Sequence, residues 1–255
     1  MSSKSAQVVV DSLLTKYTVS GKGKAILLLH GWGDSSAGLS GLQSELSKKY
    51  TVVTPDLPGF GGSQAPSGDW DLSDYAGFVG NFLKKIDTNK LYAVIGHSNG
   101  GAIAIRGLSN GDFASDKLVL MAAAGIRGTA KTRNKVLRLV AKAGKALTTP
   151  LPKSAKNRLR RKVYKTIGSD MLVAEHLQGT FKKVVADDVR ADAAKLNLPT
   201  LLLYGGSDEA SPAWYGETYH SLIKGSKLEV LPESGHFIHL EQPQIVTVEI
   251  EEFLK

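Results

Sequence analysis

The feature that most constrains this chain is a series of short apolar, β-rich runs separated by amphipathic stretches. The runs are Val8–Val10, Leu14–Val19, Ala25–Leu29, Thr51–Thr54, Leu91–Ile95, Leu118–Met121, Thr200–Tyr204 and Lys227–Leu231. The central ones show no polar alternation, as required of strands buried on both faces of a parallel sheet. Helical patterns fall between most of them, at Ser36–Lys48, Leu72–Ile86, Gly100–Leu108, Trp214–Leu222 and Gln242–Leu254. Alternation of this kind predicts an α/β fold, a mostly parallel sheet with helices on both faces. The first two runs, joined by a short link, are expected to form an antiparallel edge.

The alternation fails between Gly125 and Leu198, and there the charge also changes. From Ile126 to Asp187 stand 16 Lys/Arg against 3 Asp/Glu, whereas the rest of the chain holds 16 basic and 21 acidic residues. The overall charge of +8 thus comes from one basic insertion in a mildly acidic body. The expected division is a core of residues 1–125 and 188–255 and a basic helical cap, or lid, of residues 126–187. At 100° per residue, Lys131, Lys135, Arg138, Lys142 and Lys145 share one face of a helix, with Val136, Leu137, Val140, Ala143 and Leu147 opposite. Pro150 and Pro152 close it, and Lys153–Ile167 opens the next. The apolar face suits one wall of a substrate pocket. The basic face is either a solvated surface or a contact for an anionic surface or acidic partner, best a lipid surface. Nucleic acid is disfavoured, because no aromatic residues interleave the stripe for base stacking.

Some classes fall away at once. There is no cysteine, hence no disulfide and no thiolate metal site. The longest purely apolar run, Leu118–Ala124, is far below the ~20 residues that span a bilayer, so no transmembrane segment is expected. Met1–Leu14 lacks a basic start followed by an apolar run, so no signal peptide is expected and the setting is cytoplasmic. None of the six histidines has metal-ligand spacing with carboxylates.

Gly96-His97-Ser98-Asn99-Gly100 matches G-x-S-x-G, a weak signal alone in a chain with 27 Gly. Its context strengthens it: the segment follows a strand at once and runs into a helix rich in small residues. A serine on so tight a turn needs neighbours without bulk, and the turn aims N–H groups and a helix N-terminus at the site. His30-Gly31-Trp32-Gly33 follows the strand Ala25–Leu29 and offers a glycine-rich turn to hold an oxyanion or substrate. The expected donors are the backbone N–H groups of Trp32 and Asn99, with Gly31 part of the same binding turn. A nucleophilic serine needs a base, and the base a carboxylate to orient it. Asp208 lies just past the strand Thr200–Tyr204, and His236 just past Lys227–Leu231. Glu209 should face elsewhere, His239 reads as packing, and His97 as support for the turn.

Together these segments resemble the α/β-hydrolase fold superfamily, in its serine esterase-like branch with a helical cap. The motifs are His30-Gly31-Trp32-Gly33, Asp56-Leu57-Pro58-Gly59-Phe60-Gly61-Gly62-Ser63, the Ser98 turn with Gly101, Leu198-Pro199-Thr200 leading to Gly205-Gly206-Ser207-Asp208, and Ser234-Gly235-His236-Phe237. The resemblance covers nearly the whole chain outside the cap. It implies an eight-stranded sheet, a catalytic triad in the order Ser98, Asp208, His236 with a nucleophile elbow and oxyanion hole, and no cofactor. A serine at position 98 speaks against the dehalogenases and epoxide hydrolases of the superfamily, which look for aspartate there. The expected activity is hydrolysis of a small-molecule carboxylic ester, carboxylesterase- or lipase-like. Carbon–carbon bond hydrolysis and acyl transfer use the same triad, although Gly31-Trp32-Gly33-Asp34 departs from the Gly-x-Gly-Pro-Gly of carbon–carbon hydrolases. A non-enzymatic alternative is an idle hydrolase fold that binds an anionic partner through its cap.

Overall fold

A computed structural model describes residues 3–88, 90–127 and 175–255. The predicted helices at 131–147 and 153–167, with their basic and apolar faces, lie outside the described residues.

Eight strands form one sheet: β1 (Lys4–Val10), β2 (Leu13–Ser20), β3 (Ala25–Leu29), β4 (Thr51–Pro55), β5 (Leu91–His97), β6 (Ser115–Met121), β7 (Thr200–Gly205) and β8 (Lys227–Leu231). Their spatial order is β1-β2-β4-β3-β5-β6-β7-β8. The expected antiparallel edge is present, Lys4 facing Val19 and Val10 facing Leu13. Asp11 and Ser12 turn it with φ of 48° and 66°, the paired positive angles that match the twist of a two-residue hairpin. β2 also pairs antiparallel with β4, and every pairing from β3 to β8 is parallel.

Successive residues of a strand point to opposite faces, so the apolar runs feed two cores. Leu27, Leu29, Val94, Leu118 and Leu202 lie in one, with α2 (Leu72–Lys85), α3 (Asn99–Asn110) and α6 (Ala213–Leu222) over them. Ile26, Leu28, Ile95, Val119 and Leu203 lie in the other, under α1 (Ser40–Leu46) and α8 (Pro243–Phe253). Each fully buried leucine or isoleucine contributes about 1.5–3 kcal/mol, so the eight runs stabilise both layers at once.

Local signals set the helix limits. The Asp71 side chain accepts the N–H groups of Ser73 and Asp74, while Asp74 accepts that of Asp71, a reciprocal box that opens α2. Gly111 ends α3 at φ 78°. α1 is shorter than the expected Ser36–Lys48, because the buried Asp56 carboxylate takes the Ser36 N–H at 2.7 Å and holds residues 35–38 in turns.

Three further short α-helices, α4 (Gln178–Ala186), α5 (Arg190–Ala193) and α7 (Ile238–Glu241), and a 3-10 turn at Glu175–Leu177 complete the described residues. The two sides of the interruption meet on the sheet. Val189 N–H donates to Gly125 O at 2.8 Å and Arg127 N–H to an Asp188 carboxylate oxygen at 3.3 Å. Arg106 on α3 fastens the same place, bonding Asp187 at 2.9 Å, Asp192 at 2.8 Å and the Ser73 hydroxyl at 2.7 Å. Among the described residues no helix is long and apolar enough to cross a membrane.

Candidate functional site

Ser98 stands between β5 and α3 with φ 51° and ψ −118°, outside the left-handed helical well that non-glycine residues sometimes use. The turn closes so tightly that a Cβ on Gly96 would lie 2.6 Å from the Gly100 carbonyl oxygen, and one on Gly100 would lie 2.3 Å from that of Leu29. Backbone bonds clamp it. Ser98 N–H donates to Met121 O at 2.9 Å, and Ser98 O accepts from Gly101 and Ala124, both at 3.0 Å.

Two loops bring partners to the serine. The Ser98 hydroxyl donates to His236 Nε2 at 2.9 Å, and His236 Nδ1–H donates to Asp208 Oδ2 at 2.8 Å. The Asp208 side chain is wholly buried, and that of His236 is 13% exposed. Its other oxygen, Oδ1, accepts the N–H groups of Ala210 at 2.7 Å and Ser211 at 2.9 Å, so one oxygen is anchored while the other faces the imidazole. Ser207 N–H donates to Ser234 O at 2.9 Å and joins the two loops. The three residues expected from the sequence are thus brought together, and Glu209 is exposed. The chain can move a proton from Ser98 to His236 while a fixed carboxylate faces the resulting charge.

The glycine-rich turn lies opposite. A Cβ on Gly31 would stand 3.1 Å from both the Ser98 Cβ and His97 Nδ1, so that residue must be small for the turn to approach the serine. His30 fixes the turn: its Nδ1–H donates to Gly31 O at 2.7 Å, and its Nε2 accepts the Leu57 N–H at 2.9 Å. Burial lowers the pKa of His30, so it serves as a neutral strut. Asp56 braces the far end through Ser36 and the Gly62 N–H at 2.8 Å. Burial opposes its ionisation, yet those hydrogen bonds hold the carboxyl below its ordinary value. Asn99 opens α3, so its N–H has no acceptor inside the helix. The Trp32 ring is buried edge-on to Phe60, centroids 4.9 Å apart, and lies 5.2 Å from Phe181 of α4. α4 and the turn before it rest on the rim: His176 Nε2–H donates to Gly59 O at 3.0 Å, and the Thr180 hydroxyl accepts the Trp70 N–H at 3.0 Å.

His97 does support the turn, and does more. Its Nε2–H donates to His236 O at 3.0 Å, and its ring packs on those of His236 and His239, with centroids 4.9 Å and 4.6 Å away. Burial, then the neighbouring His236 and His239 imidazoles, push its pKa well below the usual value. His239 is buried as expected, and burial lowers it to about 4. Sequence reasoning missed Glu241. Its carboxylate accepts Gly235 N–H at 2.6 Å and Phe237 N–H at 3.2 Å, gripping the chain on either side of His236. Gln242 adds a bond to the Ser234 hydroxyl at 2.7 Å. Among the described residues, no group of three or more His, Asp or Glu is gathered to hold a metal.

Comparison with known proteins places the chain in a family. A model of the alpha/beta hydrolase family matches residues 26–249. The pimeloyl-acyl-carrier-protein methyl ester esterase of Neisseria meningitidis is 28% identical over 84% of this chain and 71% of its own. The 2-hydroxy-6-oxo-6-(2'-aminophenyl)hexa-2,4-dienoic acid hydrolase of Metapseudomonas resinovorans is 24% identical over 90% of this chain and 83% of its own. The crystal structure of a membrane phospholipase A, a bacterial virulence factor, superposes with a TM-score of 0.78 at 25% identity, covering 99% of this chain and 86% of that one.

Proposed function

The chain belongs to the alpha/beta hydrolase family, and from that premise we propose that it is a serine esterase acting on a small carboxylic ester through Ser98, His236 and Asp208. The observation that carries this reading is the continuous relay from the Ser98 hydroxyl through His236 to Asp208, at 2.9 Å and 2.8 Å.

His236 Nε2 takes the Ser98 proton as Oγ bonds to the ester carbonyl carbon, and the carbonyl electron pair moves onto oxygen. The N–H groups of Trp32 and Asn99 hold that oxyanion. The tetrahedral species collapses, the carbon–oxygen bond to the alcohol breaks, and His236 returns its proton to the leaving alkoxide. Water, deprotonated by His236, then attacks the acyl-enzyme and regenerates the Ser98 hydroxyl. Asp208 keeps Nδ1 protonated throughout and stabilises each imidazolium. Residues 126–187 act as the lid over this site. The meeting of its two ends at Gly125 and Val189, and the rest of its last helix on Trp32, support that division.

Cleavage of a carbon–carbon bond by the same residues has in its favour the likeness to the dienoic and heptadienoic acid hydrolases. The ester reading is preferred because Gly31-Trp32-Gly33-Asp34 lacks the first-loop pattern of those enzymes.

The test is a panel of short-chain chromogenic esters followed for a burst, with organophosphonate labelling. Ser98→Ala should abolish labelling and nearly all turnover, since the remaining oxyanion site supplies a small part of the acceleration. Labelling retained in that variant would put the nucleophile elsewhere.

A further inference from the structure

The side chain of Asn99, next to the nucleophile, is anomalous. Both Nδ2 and Oδ1 are buried, and neither has a hydrogen-bond partner among the described residues. Sealing a polar group away from water without a partner is costly, and native proteins rarely keep one without a use for it. Asn99 is 4% exposed, and Ser98, the residue before it, 6%.

Its direction follows from the helix. Asn99 is the first residue of α3, and helical Cα–Cβ bonds tilt toward the N-terminus, here the end that carries Ser98. It shares a face with Ala102 and Arg106, at i+3 and i+7. That face meets the base of the lid: Arg106 bonds Asp187, and a Cβ on Gly125 would stand 2.9 Å from that of Ala102. The His236 loop approaches Ser98 from the opposite face of the sheet, where the adjoining Ile238 joins the second core while α3 packs on the first. An alcohol leaving toward His236 therefore directs the acyl part of the ester away from that loop, to the side of Asn99.

We propose that the Asn99 side chain reads a polar substituent on the acyl group, so that the preferred substrates carry a hydroxyl or keto oxygen on the first or second carbon from the ester carbonyl. The inference rests on the esterase reading above. A short amide attached one residue from the nucleophile suits positions close to the ester carbonyl. It offers an acceptor and two donors, which satisfy a hydroxyl in either sense and a ketone through Nδ2. A plain aliphatic acyl group would leave both atoms unpaired, which is how a polar site rejects an analogue lacking the polar group.

The experiment compares p-nitrophenyl esters in which one methyl replaces one hydroxyl: lactate against isobutyrate, and 3-hydroxybutyrate against isovalerate. The wild type and Asn99→Leu are scored by the ratio of kcat/KM within a pair, which cancels general loss at the oxyanion site. Asn99→Met serves if the leucine variant does not fold. The wild type should favour the hydroxylated member of at least one pair by roughly tenfold or more, and the variant should bring that ratio near one. The variant should also melt higher, because it removes two buried unpaired atoms. A ratio unchanged by the substitution, or a lower melting point as expected if trapped water satisfied the amide, would overturn the proposal. In that case the wild type still labelled at Ser98 leaves the esterase reading standing. Ester turnover equal in the wild type and Ser98→Ala, with no label at Ser98, would sink both.

Discussion

Replacing Ser98 by glycine and by alanine separates the chemistry of the elbow from its backbone. Both variants lose Oγ and its bond to His236, so their difference reports the Cβ alone. At φ 51° and ψ −118° that Cβ is strained, and residues held in such regions cost about 1–3 kcal/mol. The upper value applies here, because ψ lies well outside the left-handed helical well. Against relief of about 3 kcal/mol stand two smaller losses. The glycine chain gives up extra freedom on folding, about 0.5–1 kcal/mol, and one buried methyl is removed, about 0.8 kcal/mol. The balance leaves Ser98→Gly more stable than Ser98→Ala by about 1.2–1.7 kcal/mol, which in a domain near this size is roughly 2–7 °C in Tm. Scanning calorimetry of the two variants, supported by urea unfolding, reads that difference directly. Equal stability, or a more stable alanine variant, would refute the claim that the elbow is under backbone strain.

Asp208→Asn should keep the fold and lose roughly 10⁴-fold in kcat, because the amide leaves His236 in the wrong tautomer. Retained activity there, with Glu209→Gln inactive, would move the orienting acid one residue along. Glu241→Ala should lower kcat by roughly 10–100-fold with little change in KM, since it frees the chain on both sides of His236, and Glu241→Gln should recover part of it. Steady-state kinetics that show a KM effect alone would assign Glu241 to binding. The lowered pKa of His239, about 4 in the fold against 6.5 in the unfolded chain, means that the unfolded state binds the extra proton between those values. Stability is therefore lost as pH falls from 6.5 toward 4, and His239→Leu should flatten the fall by up to about 1.4 kcal/mol per pH unit. Parallel Tm profiles for the two proteins would show that His239 contributes nothing to the acid limb.

The strands were legible because each central one must be apolar on both faces, and such runs as Leu27-Leu28-Leu29 and Leu201-Leu202-Leu203 have no other common use. Ser98, Asp208 and His236 were legible for a related reason: each stands just past the carboxyl end of a parallel strand, where the sheet itself brings distant segments together. The bracing of the site was not. Glu241 holds the base loop through the N–H groups of Gly235 and Phe237, and a bond to a backbone N–H leaves no mark on the identity of the residue it grips. The first turn of the expected helix at Ser36 failed likewise, because its competitor is Asp56, twenty positions away. The unpaired amide of Asn99 was invisible because its oddity is a missing partner.

The bond from Val189 N–H to Gly125 O, reinforced by Arg106 on Asp187 and Asp192, has a consequence for how a protein like this diversifies. The sheet closes its own circuit at that point, so whatever chain runs out from Gly125 and returns at Val189 leaves from, and arrives at, a fixed doorway. The entropy of closing a loop grows only with the logarithm of its length, each doubling adding about 0.6 kcal/mol. A longer, shorter or unrelated intervening segment can therefore be exchanged at small cost to the core, and the strand ends that carry Ser98, Asp208 and His236 need not register the change. Descent can rewrite the segment between those two residues while inheriting the strand ends intact.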